Sequence, residues 1–125
     1  MKFVNCYNKL EIDRINDLVK TNPLLAKSEI EKYLAKFPNY DWGYVMQANI
    51  LIVLGEVQKA NEVLNVLEEK VKSNKKLSKE LRELYSSKIT CLRLRILAYN
   101  KNYDIMYNFF SKNAEFIVKE KLATE

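Results

Sequence analysis

The chain has 125 residues, 48% of them apolar, with two glycines, two prolines, no histidine and a formal charge of +5. A chain of this length supports one domain that buries about two thirds of its unfolded surface, and so few glycines and prolines exclude turn-rich hairpins, sandwiches and barrels. The longest apolar run, Ile50–Leu54, is far short of the roughly twenty residues of a membrane span, and Met1-Lys2 opens no apolar signal core, so an all-α cytoplasmic protein is expected.

The 3.6-residue period and its stop signals predict six helices. The first runs from about Asn8 to Lys20 with Leu10, Ile15, Leu18 and Val19 on its apolar side, and Thr21-Asn22-Pro23 ends it. Asn22 as cap and Pro23 at the first helical position start the second, which carries Leu25, Ala26, Ile30, Tyr33 and Leu34. It stops at Phe37, because a residue before proline is pushed out of the helical region. Asp41 is expected to cap the third helix, with Tyr44, Val45, Ala48, Leu51, Ile52 and Leu54, and Gly55 lets the chain reverse into the fourth. The fourth carries Val57, Ala60, Val63, Leu64, Leu67 and Val71. A polar stretch from Lys72 to Lys76 leads to a fifth helix from about Ser78 to Tyr99, with Leu81, Leu84, Tyr85, Ile89, Leu92, Ile96 and Tyr99 in register. Asn100 to Asn102 break it before a sixth, Tyr103 to about Lys121, with Met106, Phe109, Phe110, Ala114, Ile117 and Val118. Taken in pairs, these helices form three hairpins, at about 7–38, 41–73 and 78–121, in a single domain covering 1–125. Cys6 and Cys91 have neither a CxxC partner nor a histidine, which speaks against a structural zinc site and a disulfide framework, and both are expected to be buried small hydrophobes.

Ala26 and Ala60 lie thirty-four residues apart, each inside a helix that follows a loop. Such a helix-turn-helix period resembles the tetratricopeptide family. The middle hairpin, Asp41 to Asn74, carries the likeness: Ala48 matches the small position of the family's first helix, Gly55 the turn and Ala60 the small position of the second helix. Leu51, Leu64 and Leu67 match the large apolar positions, while Tyr44 stands where the family has tryptophan, Gln47 where it has leucine and Lys72 where it has proline. The preceding hairpin matches through Ala26, Ile30 and Pro38, and in the last one Tyr103-Asp104 resembles the turn although Met106 takes the small position. The resemblance implies a right-handed α-solenoid of three antiparallel hairpins that recognises another protein on its concave face.

Catalysis is not expected. Without histidine the chain lacks the commonest general base near neutral pH, Gly43 and Gly55 stand alone rather than in a phosphate loop, and Cys91 lies among Ile89, Leu92 and Leu94. No cofactor or metal is expected either. The charge is unevenly placed: from Lys70 to Lys101 ten basic residues face two acidic ones, Glu80 and Glu83, so this segment is +8 and the rest of the chain −3. Lys75, Lys76, Lys79 and Arg82 sit where the fifth helix begins, a position at which the helix dipole disfavours cations, and they form a candidate basic patch.

The family's concave face, mapped onto this chain, places Trp42, Val45, Asn49, Ile52 and Val53 of the third helix opposite Lys88, Cys91, Arg95, Ala98 and Tyr99 of the fifth. Trp42, Val45, Asn49, Ile52, Lys88 and Arg95 are the expected partner-binding residues, with Asn49 clamping a peptide backbone and the cations pairing with a carboxylate. The alternative is that Trp42, Val45, Ile52 and Val53 simply pack against helices one and five. Glu11 and Ile15 depart from the lysine and asparagine of the chaperone-binding subgroup, which argues against an acidic chaperone C-terminus as ligand. Two other partners stay open. Nucleic acid could use the Lys70–Lys101 segment, and the apolar circumference of the sixth helix, with Phe109, Phe110, Phe116 and Ile117 as interface, suits a homo-oligomer because no polar capping helix follows before Thr124-Glu125.

Overall fold

The computed structural model describes residues 4–101 and 111–112, with side chains from Lys9 onward. The described residues form an all-α structure of five helices: α1 (Val4–Thr21), α2 (Pro23–Lys36), α3 (Asp41–Val53), α4 (Val57–Ser73) and α5 (Lys79–Tyr99). Ser111 and Lys112 are helical, but the expected sixth helix, its residues Phe109, Phe110, Phe116 and Ile117, and the Cys6 side chain lie outside the described residues.

Local chemistry sets the helix ends. The Asn22 side chain accepts from the backbone N–H of Leu25 at 3.2 Å, and Pro23 takes the first helical position of α2. Ser78 does the same for α5, accepting from Leu81 N at 3.1 Å. The expected cap of α3 is corrected: Tyr40 occupies that position without a side-chain bond, and Asp41 is the first helical residue, its carboxylate on the favourable end of the dipole. At the end of α3, Gly55 has φ 80°, Gly55 N bonds to Ile52 O at 3.0 Å and Glu56 N to Leu51 O at 2.8 Å. That pair of bonds is the left-handed helix stop that glycine adopts at least cost.

Each helix packs on the next in sequence, and α3 also packs on α1 and α5, whereas α2 and α4 do not pack on each other. The odd-numbered helices therefore make one row. Helix α3 is the centre of that row and buries residues on both sides, which is why its apolar residues run nearly all round it. Met46 and Ile50 join Ile15, Ala26, Ile30, Tyr33 and Leu34 in one cluster. Val45, Ala48, Leu51 and Ile52 join a second with residues of α4 and α5, where Leu64 and Leu67 are fully buried and each contributes about 1.5–3 kcal/mol. Ala26, Ala48 and Ala60 are fully buried, small residues at close helix approaches. Gly43 belongs with them, because a Cβ there would lie 2.6 Å from Leu34 Cδ2.

Several expected core residues are not in the core. Leu10 is 80% exposed, because five residues separate it from buried Ile15 and place it about 140° round the helix. Leu25, Leu81, Leu84 and Tyr99 are also exposed, and Tyr99 lies over the turn, its hydroxyl 2.7 Å from where a Cβ on Gly55 would be. Cys91 is partly exposed rather than buried.

Candidate binding groove along α1, α3 and α5

Trp42, Val45, Met46 and Asn49 follow the spacing i, i+3, i+4, i+7 and so occupy one face of α3; Lys88, Cys91, Leu92 and Arg95 repeat that spacing on α5. The two faces meet, with Asn16 of α1, round a groove of about 400 Å³. Val45, Met46 and Leu92 are buried and form its apolar part, while Asn16 and Arg95 are exposed and Trp42, Asn49 and Lys88 are half-buried. Among the described residues two cations and no carboxylate line it. An Arg95 guanidinium N–H donates to Asn49 Oδ1 across the groove. Lys88 Nζ stands 5.8 Å from the centre of the Trp42 ring, and that ring packs at 5.9 Å against Tyr85. Arg95 is thus held by an amide oxygen, and Lys88 lies over an indole face.

Beneath Trp42 the Tyr85 hydroxyl is pushed up to about 12, first by burial, then by the nearby Asp41 and Tyr40. Burial also raises Asp41 above the ordinary aspartate value, partly offset by Lys70. Lys70 itself lies 5.3 Å over the Tyr44 ring. Tyr85 thus backs the Trp42 ring at the foot of α3.

Of the expected partner-binding residues, Trp42, Val45, Asn49, Lys88 and Arg95 come together in the groove, and Ile52 does not: it is 7% exposed and packs in the α3–α4–α5 core. Asn16, Met46 and Leu92 were missed as groove residues. Met46 and Leu92 could have been found from the i, i+4 spacing to their neighbours; Asn16 carries no local signal.

The candidate basic patch divides. Lys75 and Lys76 lie in the α4–α5 loop and Lys79 is the first residue of α5, all three exposed. Arg82 is engaged inward, donating from Nη1 to Val71 O at 2.6 Å and from Nη2 to Asn74 O, where it closes the carbonyl end of α4. Among the described residues no group of three His, Cys, Asp or Glu side chains is placed to hold a metal ion, and no helix is long and apolar enough to cross a membrane.

No protein-family profile matches the chain, and no solved structure matches it. It is similar to the exodeoxyribonuclease 7 large subunit of Campylobacter jejuni subsp. doylei, at 26% identity over 115 residues, covering 92% of this chain and 26% of that protein. The chain thus spans about a quarter of the length of the curated relative it matches.

Proposed function

We propose that this chain is a non-enzymatic, cytoplasmic interaction module of tetratricopeptide-like architecture, a right-handed α-solenoid of helical hairpins acting as an adaptor or scaffold. Its partner is a protein segment held in the α1–α3–α5 groove. The row of odd-numbered helices supports that architecture, since in such a stack the first helix of each hairpin lines the inner face. The observation that carries the functional reading is the groove's composition: buried Val45, Met46 and Leu92 between two cations, with no carboxylate among the described lining residues. Such a surface suits an extended peptide that places an aliphatic side chain on the apolar part and an acidic group against Arg95, with the Asn49 amide available to its backbone. Selection from a displayed peptide library, followed by calorimetry on the peptides recovered, tests this. Peptides pairing an acidic residue with a large aliphatic one are expected. Arg95→Glu is expected to weaken them by about tenfold or more, the range of a charge-assisted hydrogen bond. Equal binding by wild type and Arg95→Glu removes the groove from the reading.

A second reading, nucleic acid as partner, is supported by the +8 charge of the Lys70–Lys101 segment and by the likeness to a protein named as an exodeoxyribonuclease subunit. That likeness covers about a quarter of the relative, and no activity is carried over from it.

A further inference from the structure

The loop from Asn74 to Ser78 is short, held from inside and cationic outside. Arg82 binds the carbonyls of Val71 and Asn74, Asn74 Oδ1 accepts from Lys76 N at 3.0 Å, and Ser78 caps α5. Leu77, the loop's apolar residue, packs against the α3–α4–α5 core. What remains on the outside is Lys75, Lys76 and Lys79, with exposed Lys72 one turn back on α4 and one exposed carboxylate, Glu80, next along α5. Lys75, Lys76 and Lys79 take part in no ion pair among the described residues, in contrast to Lys9, Lys27, Lys32 and Lys59, each of which is paired with a carboxylate. The positive end of the α5 dipole adds to their charge instead of offsetting it. Three unpaired cations on a pinned loop at a helix N-terminus form a concentrated positive field whose ordering has already occurred in the free protein.

We propose that this loop docks on the phosphate backbone of double-stranded nucleic acid, without regard to base sequence. The proposal rests on the second reading above and gives it a place and a chemistry. A polyanion matches a cluster of cations that has no partner of its own. The loop itself contains no aromatic residue, and the nearby Tyr85 is buried against Trp42, so among the described residues the loop offers no stacking platform of the kind that favours single strands. A duplex also presents about twice the charge per unit length of a single strand. The loop lies apart from the groove, since nine residues of α5, about 13 Å, separate Lys79 from Lys88.

The test is fluorescence anisotropy of the full chain against a labelled mixed-sequence DNA duplex, and against a single strand of equal length, across a salt series. The duplex is expected to bind more tightly than the strand. The variant Lys75→Gln/Lys76→Gln/Lys79→Gln is expected to lose about tenfold or more in affinity at low salt and to flatten the log–log salt slope by about 2.7, roughly 0.9 per lysine. Arginine at the same three positions retains both, with unchanged circular dichroism melting in each variant. If the glutamine variant binds duplex as tightly and with the same slope, the loop assignment falls while the nucleic-acid reading stands. If wild type binds no duplex even at low salt, both fall. Binding of the loop to vesicles of mixed phosphatidylcholine and phosphatidylserine, with no binding to DNA, overturns the proposal in favour of a lipid surface.

Discussion

The two hydrophobic clusters share α3 but are held by different means. On the α4–α5 side the core is mostly aliphatic and runs through three helices, with Leu51, Leu64, Leu67, Ile89 and Leu92 stacked in sequence-distant contact. On the α1–α2 side the core has seven buried residues among those described and ends in a ring cluster, Tyr33 lying 4.9 Å from Phe37 and 5.6 Å from Tyr40. Its seam with α3 depends on the missing side chain of Gly43, and its rim on Arg14, which bridges Glu11 and Glu29. One cluster is thus limited by how well its interior is filled, the other by how closely two backbones approach and by charges at its edge. Because α3 belongs to both, the clusters are expected to unfold together.

Leu67→Ala gives the largest expected effect, a loss of about 2–5 kcal/mol from removing a fully buried side chain in the aliphatic cluster, read by urea denaturation. Far-ultraviolet ellipticity and Trp42 fluorescence should report one coincident transition. Two separated transitions would mean that α3 does not couple the clusters. Gly43→Ala comes next, at about 1–3 kcal/mol, since its new methyl meets buried Leu34. Leu34→Val in the same chain should recover part of the loss if the seam is limited by that approach, and no recovery would place the strain elsewhere.

Acid titration is the mildest probe. The carboxyls of Glu29, Glu56 and Glu68 are held below the ordinary glutamate value of 4.5, each chiefly by hydrogen bonds: from Arg14 to Glu29, from Lys27 to Glu56 and from Arg93 to Glu68. A depressed folded-state pKa contributes stability that is full above about 4.5 and is lost as pH falls through the folded value. Asp41, raised by burial, acts in the opposite sense and relieves some of the loss as it protonates. Stability should therefore decline modestly below about pH 4.5, these being mostly surface pairs. Arg14→Gln should reduce the α1–α2 share of that decline, and an identical pH profile in the variant would assign it to the other two pairs.

Much of the helical framework was legible in the chain because its signals are local. Asn22, Pro23 and Ser78 act on the next turn, Gly55 reverses the backbone by itself, and Ala26, Ala48 and Ala60 mark the close approaches at which they are found buried. The groove was half legible: the i, i+3, i+4, i+7 faces of α3 and α5 are a property of spacing, and Trp42, Asn49, Lys88 and Arg95 were on them. Ile52 was misplaced because α3 is apolar nearly all round, so its periodicity does not say which side meets which neighbour. The basic segment shows the same limit, since nothing in the chain distinguishes Arg82, which binds carbonyls, from Lys79, which faces solvent.

By itself, then, the amino-acid order determined an all-helical chain, most of its turns and the faces each helix offers, since these depend on neighbours within about one turn. Tertiary structure alone decided that Arg95 reaches Asn49 across 46 residues, that Arg93 meets Glu68 across 25, and that Lys75, Lys76 and Lys79 make no such pairing among the described residues. Hydrogen bonds and ion pairs weaken steeply beyond a few ångströms, and which groups come that close depends on how the helices pack.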